Sequence, residues 1–308
     1  MKRLAIYLIV TFGLTWGLLI PAGFALGTFE NGETSSTIMI ALIAVSMFFP
    51  TLGALAAHFA SKPEERIDLA YKPRIKENVR FYLLAWFAPA VLTLLGIALF
   101  FAINPQLFDP SMMSFLESTA ATAGVPIEEI TAGMPDVRIV LLAVVFASLT
   151  YAPFINMIPA FGEELGWRGM LFPTLCEHMS QRAAVLVSGV IWGLWHAPAI
   201  AMGHNYGMSY VGFPIAGILT MIIACTALGS MMCYLRVKTN SVWPCALAHG
   251  AVNAVANIGI VFCTAGASFL GPSPLGLVAG VPMIVLGIVC WLRMSPAKPV
   301  EYQANTAR

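Results

Sequence analysis

Two adjacent carboxylates, Glu163 and Glu164, stand at the end of a long apolar run and are followed by Arg168. A charged side chain deep in a bilayer costs about 2.5 to 3.5 kcal/mol on insertion scales, so these groups need partners, water or a function. Glu164 and Arg168 are four residues apart, which places them on one helix face and predicts an ion pair. Glu163 points roughly 100° away and is free for another partner. We therefore expect Glu163 to transfer protons and the other two residues to form a supporting pair.

Further polar side chains recur inside two later apolar runs. His196 follows Trp192 by four residues and Asn253 follows His249 by four, so each pair shares a helix face. A carboxylate, two imidazoles and an amide can hydrolyse a substrate in two ways. In one, Glu163 and His196 act on a water molecule as base and acid, while His249 and Asn253 donate hydrogen bonds to the developing oxyanion.

In the other way, a divalent metal such as zinc acidifies the water. Its candidate ligands are Glu163, His196 and His249. The spacing leaves both possibilities open, with a metal cofactor or with none.

Each motif also has a plain structural explanation. The two carboxylates and the arginine could form a solvated helix end, and a histidine in a tryptophan-rich helix could simply pack there. His249 and Asn253 could hold helices together by polar contacts. All of these explanations would have to hold at once, which the order and spacing of the motifs disfavour. His58, His178 and His204 have no partner pattern and are left out of the site.

The elements that must position these residues are transmembrane helices. Of 308 residues, 59% are hydrophobic and 10% are charged, and the mean hydropathy is +0.82, far from the roughly 25% charged residues of soluble domains. The 16 Lys and Arg nearly balance the 15 Asp and Glu, so the expected partner is the lipid bilayer and not a nucleic acid. Six single cysteines without metal or disulfide spacing are expected to be small buried side chains.

The apolar runs predict an all-α, polytopic membrane protein that forms a single domain over residues 1–308. Each run can cross a hydrocarbon core of about 30 Å at 1.5 Å per residue. Eight transmembrane helices are predicted, at about 4–27, 36–60, 81–102, 139–160, 183–202, 214–235, 242–263 and 275–292. In the fourth run, Pro153 and Pro159 are expected to kink the helix.

The distribution of basic residues predicts the orientation. Segment 61–80 is rich in Lys and Arg and is expected to be cytoplasmic, whereas segment 103–137 contains neither and is expected to be extracytoplasmic, with one or two short surface helices. Both termini are then cytoplasmic, and all 16 basic residues except Arg138, including Lys298 and Arg308, lie on the cytoplasmic side. The protein is therefore expected in the cell membrane with its site facing the cytoplasm.

The predicted depths of the site residues conflict. If every helix starts at the membrane surface, Glu163 lies at the inner boundary, His249 roughly 12 Å deep and His196 roughly 20 Å deep. We expect either that the fifth helix begins above the membrane or that the fourth is shifted inward. Both arrangements create a water-filled cleft open to the cytosol.

The three motifs occur in order within about residues 140–260: Glu163-Glu164-x-x-x-Arg168, Trp192-x-x-x-His196 and His249-x-x-x-Asn253. Together they resemble the CAAX-protease and bacteriocin-processing (Abi) family of intramembrane endopeptidases. That resemblance implies that Glu163 and His196 activate water and that His249 and Asn253 stabilise the oxyanion. Members of the family have been described both as metalloproteases and as glutamate-dependent proteases, so it leaves the metal open. Trp192 stands where the family usually has Phe, which leaves substrate choice open.

The leading hypothesis is a membrane-embedded endopeptidase that cleaves a membrane-associated protein or peptide. A transporter or a proton or ion relay could use the same polar residues. Transporters often contain two related halves, and this sequence has no such repeat. A non-catalytic scaffold would not need the complete set of Glu163, His196, His249 and Asn253.

Overall fold

The computed structural model describes residues 2–31 and 37–297, in which helices are joined by turns and loops. Within these ranges there is no β-strand, and Phe108 and Cys263 form an isolated bridge. Lys298 and Arg308 lie outside the described residues. The helices are α1 (Lys2–Ala25), α2 (Thr28–Asn31), α3 (Thr37–Ser46), α4 (Phe49–Phe59), α5 (Ile75–Ile103), α6 (Met113–Ala123), α7 (Ile127–Thr131), α8 (Val137–Leu149), α9 (Ala152–Glu164), a π-helix (Leu165–Leu171), α10 (Phe172–Cys176), α11 (Gln181–Trp195), α12 (Ala197–Ala201), α13 (Ile215–Thr239), α14 (Trp243–Val255), α15 (Ile258–Val261) and α16 (Val281–Leu292).

The predicted all-α membrane architecture is confirmed. In the described ranges, five helical segments are long and apolar enough to cross a membrane, and a sixth forms if the bent pair of α8 and the helix that follows it counts as one span. The remaining predicted runs are also helical, but α11 has 15 residues and α16 has 12, short of the roughly 20 that a span requires. The count of eight spans and the cytoplasmic termini stay predictions.

The fourth run differs from the prediction in its middle, where it bends, and at its C-terminal end. Instead of ending at residue 160, helical structure continues from Ala152 through the π-helix to Cys176, and it is bent by 49° relative to α8. The break falls at Thr150, so Pro153 lies in the first turn of α9, where its missing N–H does no harm. The charged motif therefore lies inside a helix and not at its end. Whether the fourth helix is shifted inward or the fifth begins above the membrane stays a prediction.

Two close helix approaches place the motif. Gly166 faces the start of α4, and a Cβ there would lie 2.6 Å from the Pro50 carbonyl oxygen. Gly250 of α14 faces α9, and a Cβ there would lie 2.6 Å from the Met157 nitrogen. No side chain fits in either place, so glycine is required for the backbones to meet.

The basic residues gather at one end of the helix bundle. Arg3 forms an ion pair with Glu177, and Arg236 donates to the carbonyl oxygens of Asp68 and Arg168, both at 3.2 Å. The predicted cytoplasmic segment, residues 61–80, is thereby joined to the ends of several helices. Which side of the membrane this end faces stays a prediction.

Segment 103–137 contains two short helices, α6 and α7, as expected. The Asp109 N–H donates to the Phe262 carbonyl at 2.9 Å, which attaches the segment to the chain beyond α14. Hydrogen bonds from the Ser111 and Ser114 groups lower the pKa of Asp109 to about 2. The extracytoplasmic position of the segment stays a prediction.

Candidate active site

Glu163 lies near the end of α9 and is 2% exposed. Its Oε2 accepts hydrogen bonds from two indoles, Trp167 Nε1 at 3.0 Å and Trp192 Nε1 at 2.8 Å. Trp167 belongs to the π-helix and Trp192 to α11, so two separate elements fix the same carboxylate oxygen. The carboxylate is therefore held in one orientation.

Glu164 is completely buried and joins three elements. Its Oε1 accepts from Arg168 Nη1 at 2.9 Å and from His249 Nδ1 at 3.0 Å. The predicted pair of Glu164 and Arg168 is confirmed. A buried ion pair of this kind depends on further hydrogen bonds to offset desolvation, and His249 supplies one.

The carboxylate that His249 contacts is Glu164, which was expected to form only a supporting pair with Arg168. Helix α14 packs with Gly250 against Pro153 and Met157 of α9. Residues spaced by three and four share a helix face, so Glu164 lies on the face that Pro153 and Met157 define. The neighbouring Glu163 is turned away from it, toward α11. The carboxylate that His249 meets is thus set by the packing of α14.

The partners of the imidazoles determine which nitrogen carries hydrogen. His249 Nδ1 faces a carboxylate oxygen, and His196 Nδ1 lies 2.9 Å from the Trp192 carbonyl oxygen. Both oxygens only accept, so we assign a hydrogen to Nδ1 in each ring. In both histidines Nε2 is then the nitrogen available to a substrate or a water molecule.

Trp192 contacts four polar groups of the site, which come from all three motifs. In addition to its bonds with Glu163 and His196, its ring lies 5.3 Å from the His249 ring in an edge-to-face arrangement. The Arg168 guanidinium lies over the same ring, 4.3 Å from its centre. A residue expected only as a supporting aromatic thus connects all three motifs.

The predicted oxyanion residues lie on one face of α14. Asn253 follows His249 by one helical turn and is partly exposed, whereas His249 is buried. His196 is also partly exposed and occupies the break between α11 and α12. The carboxylates therefore form the buried floor of the site, with His196 and Asn253 nearer its surface.

The metal alternative stays a prediction. Among the described residues no group of three or more His, Cys, Asp and Glu side chains could hold a metal ion. Glu163 Oε2 and both Nδ1 atoms have partners, which leaves Glu163 Oε1 and the Nε2 atom of each histidine for a ligand or a water molecule. We route no step of the chemistry through a metal.

Two site tryptophans were missed by the sequence interpretation. Trp167 follows Glu163 by four residues, and the same spacing rule that predicted the ion pair could have found it. Trp195 stacks edge-to-face on His196 at 4.8 Å, a contact between neighbours that no spacing rule marks. The π-helix from Leu165 to Leu171 was also missed; such segments are common at functional sites.

The fold and the site define a class: a polytopic helical membrane protein that buries a glutamate, histidine and arginine cluster between its helices. Residues 139–255, which contain all three motifs, match the family model of Rce1-like type II CAAX prenyl endopeptidases. The resemblance read from the motifs is therefore confirmed over this segment. A grouping with bacteriocin-processing proteins stays a prediction.

The chain is also similar to CAAX prenyl protease 2 of Methanococcus maripaludis. The two are 29% identical over 85 residues, which cover 28% of this chain and 31% of that protein. The chain thus spans about a third of the length of the curated relative that it matches.

Proposed function

We propose that the chain is a membrane-embedded endopeptidase that hydrolyses a peptide bond in a membrane-associated protein or peptide. The observation that carries this proposal is the pair of buried carboxylates. Glu164 is hydrogen-bonded to His249, and Glu163 is hydrogen-bonded to Trp192, whose carbonyl oxygen contacts His196. The family match supports it. The relative's name, CAAX prenyl protease 2, supports a prenylated CAAX peptide as the first substrate to test.

Glu163 and His196 activate the water in this mechanism. A water molecule held between the Glu163 carboxylate and His196 Nε2 loses a proton to Glu163 as its oxygen attacks the scissile carbonyl carbon. The carbonyl π electrons move onto oxygen and give a tetrahedral intermediate. When the C–N bond breaks, the proton on Glu163 passes to the departing amine nitrogen.

His249 and Asn253 stabilise the oxyanion of that intermediate, His249 from Nε2 and Asn253 from its side-chain amide. Donation from Nε2 while Nδ1 donates to Glu164 requires the doubly protonated imidazolium. Two carboxylates and one guanidinium leave one negative charge in the cluster, and the imidazolium neutralises it. The Glu164 contact at 3.0 Å thus supports the donor role of His249.

The site opens toward the cytoplasm in this proposal. Arg236, at the basic end of the bundle, hydrogen-bonds the Arg168 backbone, so the site lies close to that end. Basic ends of membrane proteins face the cytoplasm. A cell-membrane substrate would then approach from the inner leaflet.

Glu163→Gln tests the proposal in detergent-purified protein with a fluorogenic prenylated peptide. The amide keeps the size of the side chain but cannot take a proton, and we expect a loss of at least about 100-fold in kcat/KM. Glu128→Gln, an exposed carboxylate of α7, is the matched control and should keep the wild-type rate. Cleavage by Glu163→Gln at the control rate would refute the proposal.

A further inference from the structure

Helix α1 lies outside the segment that matches the family, yet one of its faces is buried against the site. Tyr7, Thr11 and Thr15, spaced by four residues, are each 0% exposed. Polar groups on a membrane helix are stable when they face protein and not lipid. This face of α1 therefore needs a protein partner. Tyr7 meets the Trp167 ring edge-to-face at 5.9 Å, Thr11 lies against Gly53 of α4, and Thr15 bonds Trp195.

Two neighbouring residues of α1 hold Trp195 from both sides. The Trp195 indole N–H donates to Thr15 Oγ1 at 2.8 Å. The Trp16 indole N–H donates to the Trp195 backbone carbonyl at 3.3 Å. Both the ring and the backbone of Trp195 are thus fixed by a helix that is distant in sequence.

Trp195 in turn contacts the groups that hold the site. Its ring meets the His196 imidazole edge-to-face at 4.8 Å and the Trp167 ring at 5.9 Å. His196 is the C-terminal cap of α11, and its N–H donates to the Gly193 carbonyl at 3.2 Å, so its backbone is held by the helix. Its ring orientation depends on the Trp192 carbonyl on one side and on Trp195 on the other.

We propose that α1 is a positioning element of the active site, in which Thr15 and Trp16 clamp Trp195 and Trp195 holds the His196 imidazole in its working orientation. This inference rests on the proposed peptidase function, because it assigns His196 a role in activating water. Thr15 and Trp16 are positioning residues: they act through Trp195 and touch no substrate.

Thr15→Val removes the acceptor of the Trp195 N–H and keeps the shape of the side chain. Misplacing a reacting group by about 1 Å can cost about 100-fold in rate, so we expect kcat to fall about 10-fold or more while KM changes by less than about 2-fold. Thr15→Ser restores the hydroxyl and should recover most of kcat. If Thr15 had a purely structural role, Thr15→Val and Thr15→Ser would both lower the melting temperature. The fall in kcat at constant KM, and its recovery in Thr15→Ser, would then not be seen.

Matched controls are available elsewhere in the chain. Thr93 of α5 is a buried threonine whose hydroxyl has no hydrogen-bond partner among the described residues, so Thr93→Val should leave kcat unchanged. Trp16→Phe removes the other half of the clamp and should lower kcat in the same way. Trp86→Phe removes a hydrogen bond of the same kind, from the indole N–H to the Leu149 carbonyl at 3.0 Å, and should leave kcat unchanged.

The outcomes separate the two proposals. Wild-type kcat in Thr15→Val and Trp16→Phe, with Glu163→Gln inactive, would overturn the clamp and leave the peptidase intact. Equal losses of kcat in Thr15→Val and Thr93→Val would also overturn the clamp. Full activity of Glu163→Gln would overturn both. If Thr15→Val cannot be purified folded, Trp16→Phe against Trp86→Phe decides the question.

Discussion

The indole N–H of Trp192 should contribute directly to the rate, and Trp192→Phe tests this. The change keeps an aromatic ring between the motifs and removes the donor that lies 2.8 Å from Glu163 Oε2. Hydrogen bonds to charged groups contribute about 1.5 to 3 kcal/mol. Trp167 still donates to the same oxygen at 3.0 Å, so the carboxylate keeps a donor and the lower part of that range applies.

About 1.4 kcal/mol corresponds to a tenfold change in rate. We therefore expect Trp192→Phe to lower kcat about 10-fold to 30-fold, because a carboxylate with one donor samples orientations that do not face the water. The assay is the same peptide cleavage in detergent, with kcat and KM measured separately. Trp86→Phe, which loses an indole N–H bonded to the Leu149 carbonyl, controls for the smaller ring.

A double-mutant cycle with Trp167→Phe makes the test sharper. Two donors to one oxygen should be coupled, so the double variant should depart from additivity by about 0.5 kcal/mol or more. Wild-type kcat in Trp192→Phe, or effects of the two changes that add within about 0.3 kcal/mol, would show that the indoles do not orient a working carboxylate.

Three further changes test other parts of the structure. Arg168→Lys keeps the charge but loses the planar guanidinium that stacks on Trp192 at 4.3 Å. We expect kcat to fall about 10-fold. A wild-type rate would contradict the stacking role. Gly166→Ala places a Cβ 2.6 Å from the Pro50 carbonyl oxygen, so we expect it to lower the free energy of unfolding by about 1 to 3 kcal/mol, measured by thermal melts. Gly13→Ala is the control, because a Cβ there has nothing within 4 Å, and it should leave the stability unchanged. Chelation tests the metal alternative. The metal-free mechanism predicts that exhaustive chelation leaves cleavage unchanged within about 2-fold, and activity lost on chelation and restored by zinc would contradict it.

The helical fold and the internal pairing of the first motif could be predicted because both depend on local spacing. Apolar runs predict helices, and the four-residue spacing of Glu164 and Arg168 predicted a contact that forms at 2.9 Å. The end of the fourth helix could not be predicted in this way. A hydropathy profile places the end of a span at a charged motif. Here the charges are paired and buried, so helical structure continues to Cys176.

The partner of His249 was beyond local reasoning for a different reason. Neighbouring carboxylates point about 100° apart, and the one that meets α14 is chosen by where that helix packs. Gly250 fixes the packing against Met157, a tertiary contact that no periodicity reveals. Gly166 of the π-helix packs against Pro50, another tertiary contact that periodicity does not reveal.

The site contains charged groups that pair with one another and neutral groups that hydrogen-bond and position its side chains. Variants of the two kinds test different properties of the site. Glu164 is bound to both Arg168 and His249, and removing one partner of a buried pair costs about 3 to 5 kcal/mol, so changes there lower stability and activity together. The indole of Trp192 and the hydroxyl of Thr15 are neutral groups whose loss leaves no charge unpaired. Variants of these neutral groups can therefore lose rate while the fold persists, and they separate positioning from stability in this site.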